Sequence, residues 1–156
     1  MGPPIEVQFF VHEEKISHIK LFFKNCLGTQ WEIFSDIPYP ALEKKISTWM
    51  GQYCSGREPS ITLPFAFSAL PSFTTRVLAA IQSISFGKCV SYKELALQLK
   101  NPRGCRAVGN ACGRNPFPLI VPCHRILAHN QKIGGYALDL NLKKALLEFE
   151  GVPFSL

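Results

Sequence analysis

The chain is 156 residues long, 47% hydrophobic and 18% charged, with a net charge of +6. That length supports one good core or two small units, and no apolar run approaches the roughly 20 residues a membrane helix needs. Met1-Gly2-Pro3-Pro4-Ile5-Glu6 lacks the charged-then-apolar order of a secretory signal, and Glu6 stands where a myristoylation motif needs Ser or Thr.

Charge is uneven along the chain. Residues 1–69 hold six Lys/Arg against seven Asp/Glu, and residues 70–156 hold eleven against four. A basic half is the electrostatic footprint of a polyanion binder, although a solvated basic face would look the same. The six cysteines read as free thiols, since nothing sends the chain to an oxidising compartment. None has Cys-x-x-Cys spacing, so no metal site is expected.

Residues 6–10 and 16–24 read as strands, with Ile19, Leu21 and Phe23 alternating with Lys20, Phe22 and Lys24. Glu13-Glu14-Lys15 turns between them, and a meander continues around residues 31–33. His12 and His18 fall on strand patterns and read as structural or surface residues. A helix follows residues 38–40, with Leu42, Ile46, Trp49, Met50 and Tyr53 on one face. Ile61, Leu63, Phe65 and Phe67 alternate as a last strand, which Pro64 marks as an edge. Residues 69–71 read as a linker, dividing the chain into 1–69 and 70–156.

Ser72 is placed to cap the next helix, whose stripe is Phe73, Val77, Ala80, Ile81 and Ile84. Ser91 and Glu94 form a capping box, so a helix starts at Tyr92 and runs to about Leu99. Asn101-Pro102-Arg103-Gly104 breaks it, and a second helix runs to Cys112, giving a helix-turn-helix. Ala107, Gly109, Ala111, Cys112 and Gly113 keep that second helix slim. Slimness costs helix propensity and serves close approach, either to the first helix or to a ligand groove.

The stretch Asn115-Pro116-Phe117-Pro118-Leu119-Ile120-Val121-Pro122-Cys123-His124-Arg125-Ile126 organises the rest. Its prolines fix the backbone. A cysteine in a rigid apolar wall, with a base and a cation beside it, reads as a nucleophile. Beyond it, residues 128–132 read as a loop and Gly134-Gly135-Tyr136 as a turn. Leu142, Ala145, Leu146 and Phe149 stripe a final helix that Gly151 and Pro153 end.

With Arg106-Ala107-Val108-Gly109-Asn110-Ala111 and Asn115-Pro116 upstream and Gly135-Tyr136 downstream, Pro122-Cys123-His124-Arg125 resembles the signature of O6-alkylguanine-DNA alkyltransferases. The resemblance runs from about Phe73 to Gly151, roughly half the chain. It implies an α/β fold: a small ribonuclease-H-like sheet domain, then a mostly helical domain with a helix-turn-helix and a buried active-site cysteine. It implies a suicide transferase that moves the alkyl group of O6-alkylguanine, and of O4-alkylthymine, onto Cys123 once, irreversibly and without a cofactor. The DNA partner is double-stranded and entered from the minor groove. The expected protein is a monomer, cytoplasmic or, in a eukaryote, nuclear, with no membrane contact.

The resemblance also assigns residues. Cys123 is the acceptor, deprotonated through a water to His124 and on to Glu150. An extended backbone would point Cys123 and His124 to opposite faces, so an intermediary or a turn is required. Tyr92 lies by the flipped nucleotide and donates a proton to the leaving guanine. Arg106 fills the space the flipped base vacates, or contacts phosphate. Ala107, Gly109 and Asn110 share the DNA-facing helix with it. Asn115 ties that helix to the active stretch, and Pro118, Tyr136, Ala137 and Leu138 wall the pocket. Arg125 is expected in a structural salt bridge. Many relatives carry Gly-Gly after the tyrosine, so Leu138 is expected to narrow the pocket lip, and Asp139 adds a charge there. Some relatives hold zinc in their N-terminal part, but no matching ligand set stands here. The competing reading is a non-catalytic alkyltransferase-like damage sensor, which would lack the acceptor cysteine. A cysteine hydrolase would need an oxyanion hole that nothing in the sequence marks.

Overall fold

The structure, a computed structural model, describes residues 1–67 and 69–156. It consists of two compact units, residues 1–67 and 68–156.

In the first unit, β1 (Ile5–His12) and β2 (Lys15–Phe23) pair antiparallel. Glu13 and Glu14 both take positive φ, 50° and 61°. That is the geometry of a two-residue hairpin turn whose twist matches the strands. Strict alternation in β1 buries Ile5, Val7, Phe9 and Val11. β3 (Gln30–Ser35) does not continue a meander. It pairs parallel with the other edge of β1, giving the order β2-β1-β3. The reason is visible in the link, residues 24–29. Lys24 N donates to Pro4 O, Thr29 N to Met1 O and Thr29 Oγ1 to Pro3 O. These bonds hold the link around the start of β1 and deliver β3 to its free edge.

α1 (Pro40–Cys54) buries the expected face, Leu42, Ile46, Trp49, Met50 and Tyr53. The last strand expected at residues 61–67 does not form. A single bridge joins Ile16 to Phe65, with Ile16 N donating 2.9 Å to Pro64 O. Pro64 can accept there but has no N–H to extend a ladder.

In the second unit, α2 (Ser72–Gln82) buries Thr74, Val77, Leu78 and Ile81. Ser72 is its first helical residue and not its cap; Pro71 holds the cap position, with no side-chain bond. A serine with helical φ/ψ leaves capping to the residue before it. The short strand β4 (Val90–Ser91) leads directly into α3 (Tyr92–Gln98). The capping box is present: Glu94 N donates to Ser91 Oγ at 3.0 Å, and Ser91 N to Glu94 Oε2 at 2.7 Å. The turn into α4 (Cys105–Cys112) requires glycine at 104, because a Cβ there would collide with the Asn101 side chain. α4 packs on α2 and α3 and buries Val108 and Ala111.

The prolyl stretch folds back on itself. Val121 N donates to Phe117 O, and buried Leu119 takes φ 79° at the bend. A 3-10 turn, Cys123–Arg125, then enters β5 (Ile126–Leu127), which pairs parallel with β4. Residues 129–131 form a tight bend, with Asn130 and Gln131 at positive φ, within the segment expected as a loop.

α5 (Leu140–Glu150) closes the fold, ended by Gly151 at φ 71°. Asp139 is its N-cap, accepting from Asn141 N at 2.8 Å. That gives the added charge beside Leu138 a structural role. Asp139→Ala is expected to cost about 1 kcal/mol, the usual worth of such a cap. Thermal unfolding reads this as a fall of a few degrees in Tm, and an unchanged Tm would contradict the role.

Candidate active site

The two-residue ladder between β4 and β5 brings the site together. Tyr92 follows β4 immediately, and the Cys123–Arg125 turn immediately precedes β5. Tyr92 and Cys123 therefore meet at one cavity of about 280 Å³, with Gly109, Cys112, Gly113, Gly135, Tyr136 and Ala137. Cys123 is buried, its Sγ 3.9 Å from the Tyr136 hydroxyl oxygen. Asn115 Nδ2 donates to Cys123 Sγ at 3.2 Å and to Val121 O at 2.8 Å, while its Oδ1 accepts from Phe117 N at 2.9 Å. One amide thus holds both the acceptor and the bend in front of it.

Behind the cysteine lies a buried charge cluster. The 3-10 turn sends His124 inward, fully buried, where its Nε2 pairs with Glu150 Oε1 at 2.8 Å. Arg125 Nε and Nη2 donate to Glu150 Oε2 and Oε1 at 2.8 and 3.0 Å, and Nη1 donates to Ile84 O. Burial alone would raise the Glu150 carboxyl, but His124 and Arg125 together hold it down to about 2. It is an ionised acceptor, so the His124 proton belongs on Nε2. Burial lowers the His124 pKa against the pull of Glu150, which keeps the ring neutral. Its Nδ1 is buried and has no hydrogen-bond partner among the described residues. A lone pair is therefore free to take a proton.

Lys143, which the periodicity of α5 does not single out, is fully buried beside this site. Its Nζ donates to Ile126 O at 2.7 Å and Gly135 O at 3.0 Å. It lies 6.0 Å from the Tyr92 ring centre and 5.9 Å from that of Tyr136. Burial pulls its pKa down to about 8, against the attraction of the Cys123 and Cys112 sulfurs. Burial pushes the Cys123 thiol up, opposed by Asn115, Tyr136 and Lys143. Tyr92 is pushed up to about 12, first by burial and then by the two neighbouring sulfurs. It stays a protonated phenol, able to donate.

Two expected pocket residues stand elsewhere. Pro118 is buried at the bend before the acceptor, and Leu138 is 41% exposed and does not line the cavity, so Ala137 alone of the pair after Tyr136 does. Leu138 stands directly before Asp139, the N-cap of α5. Arg106, Ala107 and Asn110 are exposed on α4. Arg106, Gly109 and Asn110 border a groove of about 960 Å³ that shares Tyr92, Gly109 and Gly135 with the cavity. A Cβ at Gly109 would meet only Tyr92, at 3.9 Å, so packing within the protein does not demand glycine there.

A buried thiol at a small cavity, backed by a buried histidine–glutamate pair and set against a helix-turn-helix, defines a candidate nucleophile site. Residues 72–152 match the family described as 6-O-methylguanine DNA methyltransferase, DNA binding domain. A probable methylated-DNA–protein-cysteine methyltransferase of Acanthamoeba polyphaga mimivirus is 34% identical over 88% of this chain and 93% of its own. The methylated-DNA–protein-cysteine methyltransferase of Haemophilus influenzae is 40% identical over 53% of this chain. That match spans about half the length of the H. influenzae protein, as it does for several other curated relatives. Among solved structures, Mycobacterium tuberculosis OGT in complex with DNA superposes with a TM-score of 0.73 at 25% identity, covering 93% of this chain and 92% of that one. The chain belongs to the methylated-DNA–protein-cysteine methyltransferase family.

Proposed function

We propose that this protein repairs alkylated DNA by direct reversal, transferring the alkyl group of O6-alkylguanine to Cys123. The observation that carries the reading is the meeting of Cys123, Tyr92 and Tyr136 at one small cavity, with the His124–Glu150 pair buried behind the acceptor. The Cys123 proton passes through a water to His124 Nδ1, and the resulting imidazolium is stabilised by Glu150. Asn115 Nδ2 and the Lys143 ammonium favour the thiolate. Sulfur attacks the sp3 carbon of the alkyl group and the carbon–oxygen bond breaks. Guanine leaves with the electron pair and takes a proton from the Tyr92 hydroxyl. The product is a thioether, which no group in the site reverses, so each molecule acts once.

The partner is double-stranded DNA with the damaged nucleotide flipped out, entered from the minor groove by a monomer. The groove that opens into the cavity supports this, with exposed Arg106 and Asn110 along α4. Flipping costs a few kcal/mol of stacking, and a planar guanidinium filling the gap offsets part of it. Arg106 takes that role, with Ala107 and Gly109 keeping the helix thin enough to approach. No helix of the described residues is long and apolar enough to cross a membrane.

The test is intact mass after incubation with duplex DNA bearing one O6-methylguanine, followed by peptide mapping. The expected result is one added methyl group, on Cys123, in wild type and none in Cys123→Ser. An unmodified wild-type protein that still binds the damaged duplex tightly would make it a damage sensor and overturn the proposal.

A further inference from the structure

Two cysteines, not one, line the reaction cavity. Cys112 is the last residue of α4 and Cys123 opens the 3-10 turn, and both face the same 280 Å³ space. Lys143 acts on both sulfurs. The alkyl-transfer chemistry uses only Cys123, which leaves a second thiol at the acceptor with no assigned task. We propose that Cys112 is a resolving cysteine: hydroperoxide oxidation of Cys123 is captured as a reversible Cys112–Cys123 disulfide.

The environments of the two sulfurs divide the roles. Burial and the neighbouring Cys123 push Cys112 up to about 12, so it is a protonated thiol. It gives up that proton only as its sulfur attacks the sulfenic sulfur, so Cys112 serves as the second thiol and not the first. Burial pushes the Cys123 thiol up as well, but its sulfur has the Asn115 donor at 3.2 Å and the Tyr136 hydroxyl at 3.9 Å, contacts that favour its thiolate. Cys123 attacks first. Its sulfur takes one oxygen of the peroxide, the O–O bond breaks, and the other oxygen leaves as water or, from an organic hydroperoxide, as an alcohol. The sulfenic acid then faces Cys112 across the cavity. The Cys112 sulfur attacks the sulfenic sulfur, the S–O bond breaks, and hydroxide leaves as water with the Cys112 proton. Two thiols and one peroxide thus give one disulfide and two molecules of water, or one water and one alcohol. A dithiol reductant returns both thiols.

Both cysteines border one cavity, and Cys112 is the last residue of α4, so closure moves the end of a helix and not its body. The cavity admits a molecule as small as a peroxide. No group of three or more His, Cys, Asp or Glu able to hold a metal stands among the described residues, so the pair is not part of a closed metal site. A reason for the device follows from the chemistry. A sulfenic acid left alone advances to sulfinic acid, which common reductants do not reverse. Without a partner sulfur, a protein whose acceptor is used once would lose that use to oxidation.

The experiment treats the full chain with hydrogen peroxide, maps its peptides, and measures methyl transfer before and after dithiothreitol. Each variant is compared with its own untreated activity. Wild type is expected to lose 2 Da as a linked 112–123 peptide and to regain most of its activity on reduction. Cys112→Ser, with Cys112→Ala as a second variant, is expected to gain oxygen on Cys123 and to regain at least several-fold less. Equal recovery in wild type and both variants, or Cys123 linked to another cysteine, overturns the inference. The inference rests on Cys123 being the acceptor only for its activity readout. An untreated wild type that transfers no methyl group would sink the proposed function, while the linked peptide is read independently.

Discussion

Replacing Lys143 by Met is expected to slow methyl transfer about 100-fold while leaving a folded protein. The size follows from removing one positioned charge from a desolvated site, typically worth 10²–10³ in rate. Met matches the lysine stem, so the packing under Tyr92 and Tyr136 survives. The Ile126 and Gly135 carbonyls lose their donor, which costs about 1–3 kcal/mol each if they stay dry. Single-turnover rates must therefore be compared under conditions where both proteins are fully folded. A second signature separates charge from packing. With a pKa of about 8, the ammonium is present below that pH and lost above it. Wild-type rate should rise with thiolate formation and then bend over above about pH 8, whereas the Met variant should be slow and lack the bend. A Met variant as fast as wild type would remove Lys143 from the mechanism.

Glu150→Ala is expected to be the most damaging single change to the second unit. The carboxylate accepts from His124 and twice from Arg125, all buried. Removing it strands a guanidinium in the interior, and breaking such a pair costs about 3–5 kcal/mol. Denaturant unfolding should show the loss as a lower midpoint with little change in slope. Glu150→Gln keeps the shape and part of the bonding, so it should fold better than the Ala variant yet still transfer slowly, because a neutral amide does not stabilise an imidazolium. The pH dependence has a definite sign. The folded carboxyl sits at about 2 against an ordinary 4.5, so its contribution is complete above about pH 4.5 and is lost as pH falls toward 2. In the Ala variant that part of the acid-unfolding profile should be missing.

The sequence carried the local features of this fold well. The α1 stripe, the Ser91–Glu94 capping box and the helix-turn-helix all depend on residues a few positions apart, and periodicity reads such spacing directly. Features set by distant partners were not legible. Nothing in residues 30–35 says that they pair parallel with β1, because the bonds that steer the link end on residues 1, 3 and 4. Residues 61–67 alternate like a strand, yet no neighbouring edge takes up more than one bridge. Nothing in the pattern of α5 marks Lys143, and the carbonyls of Ile126 and Gly135, from other segments, receive its buried ammonium. Arg125 was expected in a salt bridge, and its partner, Glu150, lies 25 residues away in the chain. Glu150 itself came from the family resemblance alone, since an isolated glutamate at a helix end is ordinarily exposed.

The sheet order also sets a sequence of events in folding. β1 and β2 need only a two-residue turn to meet, whereas β3 reaches β1 only after residues 13–29 have formed the hairpin and its wrapped link. Local closure is fast and distant closure slow. The hairpin is therefore expected to form before β3 joins it, and native-state hydrogen exchange should find the β3 amides opening before those shared by β1 and β2.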